Sequence, residues 1–477
     1  MPATKPTFFF YDLETSGINP KRQRIMQFAG QRTDMDLNPI DEPVNIYVKL
    51  SDEVLPEPDA VMITGITPQK TLEEGYSEAE FCKIFTDEIC LENTTIVGFN
   101  SVRFDDEFIR YTLYRNFYDP YEWAWMDKRS RWDMLDVIRL TRALRPDDIN
   151  WPVDEKGTPT NRLELLTKAN NLDHENAHDA LNDVLALISV ARLIKIKQPK
   201  LFDYLYDLRD KRKVEALVNL DDPKPFVYAS GRYESEHEKT TVAFPIAPGT
   251  KPGSVLVYDL RYDPDVFKNA SPQALASVLF ADSEQRKDPN FTRLPIKELS
   301  YNRCPAVAPL GVLDSKAEER IHLTTQTVQE NLNKLSAIKD FGDRVREAYE
   351  MREGYEPEAD VDAQLYDGFF DNKDKAKLAA VRAASANELA DFHPDFIDER
   401  LPKLLLRYKA RNFPNSLSED ERAKWEEYRT MRIRGDMVRF GQALDRLSRT
   451  ATNEGKQFLL SELQLWAESI VPLDVES

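Results

Sequence analysis

Near the start of the chain, Thr7-Phe8-Phe9-Phe10-Tyr11-Asp12-Leu13-Glu14 runs from aromatic positions into two acids. The run Thr7–Leu13, rich in aromatics, reads as a buried strand. Side chains alternate faces along a strand, so Asp12 and Glu14 project together from its end. A cation could bind both carboxylates; the alternative is a pair of solvated acids at a strand end.

Outward from this strand, Arg24–Thr33 and Val44–Leu50 continue the strand pattern. Helical periodicity follows at Ser77–Leu91, a short strand at Thr94–Phe99, a helix at Asp106–Phe117 and further helices from Arg162 to about Ile196. Strands first and then mixed helices and strands predict an α/β or α+β domain with helices on both sheet faces. After Gln198-Pro199 the composition shifts. Between Asp221 and Pro309, short β-like runs at Phe226–Ser230, Thr240–Phe244, Ser254–Leu260 and Leu294–Leu299 suggest a small β barrel. Beyond about residue 325 the pattern is helical and highly charged, near Gln326–Ser336, Asp343–Met351, Lys373–Ala384 and Glu419–Leu447.

Such a chain, at 477 residues, exceeds what one core usually organises, which predicts two or three domains. Apolar residues at 41% and charged residues at 31% make a globular balance rather than a disordered one. No apolar stretch reaches the length of about eighteen residues needed to span a bilayer, and Met1–Lys5 lacks a secretory pattern. The expected location is the cytoplasm. Cys82, Cys90 and Cys304 have no CxxC spacing and read as buried thiols. The net charge of −19 argues against indiscriminate coating of duplex DNA. A nucleic-acid ligand would have to be attracted by local basic clusters or bound cations.

Two further acidic motifs follow. Asn100-Ser101-Val102-Arg103-Phe104-Asp105 comes directly after the strand Thr94–Phe99, where ligand sites gather in open sheets. Asp105 or Asp106 could instead be the N-cap of the next helix. His178-Asp179-Ala180-Leu181-Asn182-Asp183 opens an apolar-periodic helix, with Asp183 facing inward from the first turns and His178 in the lead-in. Between Arg110 and Trp132 aromatics and arginines are interleaved, a mixture that suits unpaired bases and phosphates or, for about half of the rings, simple core packing.

The ordered set Asp12, Glu14, Asp105, His178 and Asp183 resembles the DEDDh pattern of 3′-5′ exonucleases built on a ribonuclease H-like sheet. Phe9–Gly17, Met62–Pro68, Val102–Glu107, Arg115–Tyr121, Trp132–Val137, Leu163–Asn170, Asn176–Ala180, Asp362–Phe370 and Arg407–Pro414 are similar to bacterial exonuclease I specifically. The resemblance implies an α/β ribonuclease H-like exonuclease domain over 1–198, an SH3-like β-barrel domain over 199–351 and an α-helical C-terminal domain over 352–477. It also implies a monomer that degrades single-stranded DNA from its 3′ end in repair and recombination.

Hydrolysis of an anionic phosphodiester needs charge neutralisation and an aligned water, which two divalent cations about 4 Å apart supply. Hard oxygen ligands suit Mg²⁺, with Mn²⁺ as a substitute. The expected ligands are Asp12, Glu14, Asp105 and Asp183, with Asp12 bridging the two ions. His178 is the expected general base rather than a ligand. By resemblance Tyr121 and Trp125 stack on bases, Arg110, Arg139 and Arg162 meet phosphates, and Glu14 also touches the substrate. Surface ion pairs are the alternative for the three arginines. The resemblance further implies that Arg145, Tyr204 and Lys224 receive the acidic C-terminal tail of the single-stranded DNA-binding protein. Two rivals stay open: a 3′-5′ exoribonuclease, and a catalytically silent scaffold that binds single strands.

Overall fold

The computed structural model describes residues 5–172, 179–352, 354 and 356–471. Compactness divides them into two units. One contains the chain up to Ser130, the segment up to Leu185 and the C-terminal part from Glu356; the other contains Arg131 to Leu172 and Ala186 onward to residue 354.

In the first unit, β1 (Thr7–Thr15) pairs antiparallel with β2 (Ile25–Thr33), which pairs antiparallel with β3 (Val44–Tyr47). On its other side β1 runs parallel to β4 (Thr94–Gly98). Ser130, the first residue of β5 (Ser130–Asp133), lies with its hydroxyl 3.0 Å from that of Thr95 on β4. Period-two alternation explains β1. Phe9, Tyr11 and Leu13 enter a core with Phe28, Phe81, Phe85, Phe108 and Trp123, while the opposite face carries Phe8 and Phe10 and then turns acidic at Asp12 and Glu14. Each aromatic buried there contributes on the order of 2–3 kcal/mol.

The expected helix over Ser77–Leu91 is shorter. Ser77 and Glu80 form a capping box, the helix runs Glu78–Ile84, and a π-helical turn over Phe85–Ile89 finishes it. Short helices at Pro58–Thr64 and Pro68–Glu74, each begun by a proline, carry no long apolar period.

The C-terminal helices of this unit do not build a core alone. Tyr111, Tyr114 and Phe117 pack with Leu365, Leu378, Leu401 and Tyr408. Leu50, Val54 and Val61 pack with Ile433, Phe440, Leu463 and Trp466, and Trp466 Nε1 donates to the Val54 carbonyl at 3.0 Å. Charges are buried here as well: Arg24, Glu53, Glu78, Arg115, Asp362 and Arg411 form one chain of ion pairs.

The second unit contains a five-stranded antiparallel sheet of order β10-β6-β7-β8-β9, comprising β6 (Phe226–Ala229), β7 (Thr240–Pro248), β8 (Ser254–Asp259), β9 (Ile296–Ser300) and β10 (Ala306–Pro309). The four expected β runs each supply a strand; β10 is additional. Helices within it include Met134–Leu144, Pro272–Leu279, Thr325–Ala337 and Phe341–Glu350. Cys82 and Cys90 are buried as expected, whereas Cys304 is partly exposed, with Sγ 3.2 Å from the Arg131 carbonyl. Among the described residues no helix is long and apolar enough to cross a membrane.

Candidate active site

β1 positions the first two acids. Asp12 faces Ala29 and Glu14 faces Gln27 across the ladder, and a bulge follows between Glu14 and Thr15. The bulge ends regular pairing just beyond the acids, a common device for aiming side chains at a site. The third acid comes from the helix beginning at Ala180. Asp179 caps that helix, accepting from the Asn182 amide at 3.2 Å, and its carbonyl accepts from the Asp183 amide at 3.0 Å.

Tertiary folding brings Asp12, Glu14 and Asp183 together: each offers a carboxylate oxygen, and those atoms lie within 4.8 Å of one another. Like charges this close cannot all stay ionised unaided. Burial, then Asp12, Asp183 and Asp179, push the Glu14 carboxyl up to about 9. Burial and then Asp183 raise Asp12 well above the ordinary carboxylate range. A divalent cation reverses that penalty, and an all-oxygen donor set is what Mg²⁺ or Mn²⁺ prefers. The residues present therefore fit a divalent metal.

Asp105 stands apart from the trio in how it is held. β4 ends at Gly98, where a Cβ would lie 2.5 Å from the Ser101 Cβ, so only glycine permits the turn. Asn100 follows in the left-handed region at φ 63°, and the helix Asp105–Arg115 begins five residues later. Neither Asp105 nor Asp106 is its N-cap, a position held by Phe104 without a side-chain bond. Both acids lie in the first turn, where the helix dipole favours them. Asp106 has a structural partner in the Tyr11 hydroxyl, which donates to Oδ1 at 2.6 Å. Asp105 is buried and does not belong to the 4.8 Å trio. His178 lies outside the described residues.

The aromatic segment divides as its alternatives allowed. Tyr111, Tyr114, Phe117, Trp123 and Trp132 are buried, Tyr121 is half-buried, and Trp125 is 60% exposed. Arg110 sits 5.6 Å from the Tyr121 ring centroid and pairs with Glu107 at 2.6 Å. Arg139 pairs with Asp136 at 2.6 Å, and Arg162 with Glu164. Phe369 was missed: 88% exposed, it meets Tyr121 edge-on at 6.2 Å. Its only local signal was its place within the resembling stretch Asp362–Phe370. At the expected partner positions, Arg145 donates to the Val312 carbonyl at 3.1 Å, Tyr204 donates to the Val307 carbonyl at 3.2 Å, and exposed Lys224 pairs with Asp222 at 2.5 Å.

A family model described as Exonuclease matches residues 9–191, the segment that carries all three clustered acids, and this defines the class. Models of the Exonuclease I SH3-like domain and the Exonuclease I C-terminal domain match residues 209–351 and 359–470. Exodeoxyribonuclease I of Haemophilus influenzae is 40% identical over 442 residues, covering 92% of this chain and 93% of the relative. That of Escherichia coli is 39% identical over 469 residues, covering 98% of each. The crystal structure of E. coli exonuclease I in complex with a dA16 oligonucleotide superimposes with a TM-score of 0.94 at 38% identity, over 98% of this chain and 100% of that one. Exonuclease I from Methylocaldum szegediense gives 0.91 at 39%, with the same coverage. The chain belongs to the exodeoxyribonuclease I family, and with it to the exonucleases.

Proposed function

We propose that this chain hydrolyses single-stranded DNA from the 3′ end, releasing 5′-mononucleotides, in DNA repair and recombination. The observation that carries the reading is the convergence of Asp12, Glu14 and Asp183 within 4.8 Å. The relatives' name and the oligonucleotide bound by the E. coli enzyme support the substrate class.

Asp12, Glu14 and Asp183, joined by Asp105, would hold Mg²⁺, with Mn²⁺ as a substitute. Two bound divalent cations would neutralise phosphate charge, supply the nucleophile and stabilise the leaving 3′ oxygen. A water oxygen bonds to phosphorus, the bond from phosphorus to the 3′ oxygen breaks, and His178 takes the water's proton. The freed 3′ oxygen is protonated from solvent. Trp125, Tyr121 and Phe369 offer aromatic faces to unpaired bases, which duplex DNA hides. Arg110, Arg139 and Arg162 are placed in the reading as phosphate contacts, exchanging carboxylate partners for the strand.

Exonuclease, SH3-like and helical segments would span 1–198, 199–351 and 352–477, in a cytoplasmic monomer. The acidic tail of the single-stranded DNA-binding protein would dock on Arg145, Tyr204 and Lys224. Digestion of DNA and matched RNA strands, labelled at one end and with or without Mg²⁺, tests the activity. Mononucleotides released from the 3′ end of DNA, dependent on metal and lost in Asp12→Ala, are expected. Metal-independent cleavage, or equal digestion of RNA, overturns it.

A further inference from the structure

Where β8 ends and β9 begins, the sheet of the second unit bears a cavity of about 270 Å³ that the proposed reaction does not use. Four cationic side chains line it, Arg232, Arg261, Arg293 and Lys297, against the two carboxylates of Asp259 and Glu234. On a chain of net charge −19, a concavity with surplus positive charge gathers anions.

Part of this lining is a fixed frame. The Arg261 guanidinium donates to the carbonyls of Ile321, His322 and Thr240 at 2.8, 3.0 and 3.0 Å. Buried Asp259 accepts from the Thr241 hydroxyl and from the Arg261 amide. Buried Lys297 donates to the Ser230 hydroxyl, with its Nζ 4.1 Å from the Tyr228 ring centroid and 5.2 Å from that of Tyr233. Arg232 and Arg293, also on the lining, are exposed and so open to an incoming anion.

The Tyr233 ring lines the cavity, while its hydroxyl is buried and has no hydrogen-bond partner among the described residues. Tyr262 and Phe291 add aromatic surface to the same cavity.

We infer that the cavity binds a single nucleotide, with its phosphate at Arg232 and Arg293 and its base against the rings of Tyr233, Tyr262 and Phe291. The volume lies near the lower edge of small-ligand pockets, roughly 300–1,000 Å³, which suits one nucleotide rather than several. A free nucleoside monophosphate and one residue of a strand share this chemistry. Assigning the free form as the enzyme's own product rests on the function proposed above; the cavity does not.

The test is calorimetric titration of full-length Asp12→Ala protein in EDTA, which silences the acidic site. The probes are thymidine 5′-monophosphate, thymidine, inorganic phosphate and a 5′-phosphorylated dinucleotide. The monophosphate is expected to bind, about tenfold more weakly in Arg293→Ala and about fivefold more weakly in Tyr262→Ala, which removes a stacking ring. Tighter binding of the dinucleotide assigns the site to a strand; equal or weaker binding assigns it to the free nucleotide. The inference is overturned if neither binds, if phosphate alone binds as tightly, or if both substitutions leave affinity unchanged. Failure of the proposed activity would show in the digestion assay and leave this titration intact.

Discussion

Arg24 Nη2 lies 2.9 Å from Glu53 Oε1, with the two side chains 1% and 0% exposed. Arg411, from the helix Arg400–Asn412, reaches the same carboxylate at 2.9 Å and also pairs with Asp362. The Arg24 backbone exchanges hydrogen bonds with Ser16, two residues beyond Glu14. Buried charge therefore ties a C-terminal helix to the strand end that carries the clustered acids Asp12 and Glu14.

Breaking one partner of such a network strands the others without compensation. Glu53→Gln is expected to destabilise the fold by about 3–5 kcal/mol, read by urea unfolding at pH 7; a loss within experimental error would contradict the network's role. Burial alone would raise Glu53, but Arg411, Arg24 and Arg432 outweigh it and hold it far below the carboxylate range. Asp362 is likewise depressed, by Arg411, Arg407 and Arg24 against burial. Stability from both is therefore present above the unfolded pKa of about 4 and is lost as pH falls below it. Acid unfolding should begin there, and Glu53→Gln should flatten the transition.

Glu14 has the opposite sign. With a folded pKa of about 9 and an unfolded one of about 4.3, the folded state holds a proton that the unfolded state has released. Metal-free protein should thus lose stability as pH rises from about 5 toward 9. Glu14→Gln should lessen that slope in differential scanning calorimetry, with Asp12, raised in the same sense, supplying the remainder. Added Mg²⁺ should raise the wild-type Tm at pH 8 by more than that of the variant, and equal shifts would count against the metal assignment.

The adjacent acids Asp105 and Asp106 should separate cleanly. Asp106→Ala leaves the buried Tyr11 hydroxyl without its acceptor, which costs about 1–3 kcal/mol and is measurable as a lower Tm. Asp105→Ala should abolish most metal-dependent cleavage, whereas Asp106→Ala should retain it. Normal turnover in Asp105→Ala would remove it from the site.

Trp125→Ala and Phe369→Ala remove exposed rings with no core role. Each should weaken single-strand binding by about 1–3 kcal/mol per lost stack, raising KM with kcat nearly unchanged. A fall in kcat at constant KM would mean that they act on the chemistry instead.

His178→Ala should lower turnover by about a hundredfold or more and leave strand binding intact by fluorescence anisotropy. Parallel loss of both would assign the histidine to substrate binding.

Much of the fold was legible because it is written locally. The alternation in Thr7–Leu13, the apolar run at Thr94–Phe99 and the β runs from Phe226 to Leu299 all lie on strands, since each pattern needs only its own neighbours. Elements that were not anticipated, such as the helices Pro58–Thr64 and Arg400–Asn412, are short or densely charged. Arg24 opens the expected strand Arg24–Thr33 directly after Lys21-Arg22-Gln23, and nothing in that stretch marks which arginine is buried. Its acidic partner Asp362 is 338 positions away.

The sequence by itself determined the acids, their order and the strand alternation that points Asp12 and Glu14 to one side. Only tertiary structure decided that Asp183 joins them within 4.8 Å, that Asp106 belongs to Tyr11 and that Phe369 stands beside Tyr121. The physical reason is range: pleat and helix period are set by bonded neighbours, whereas burial and charge pairing depend on which distant segments exclude water together.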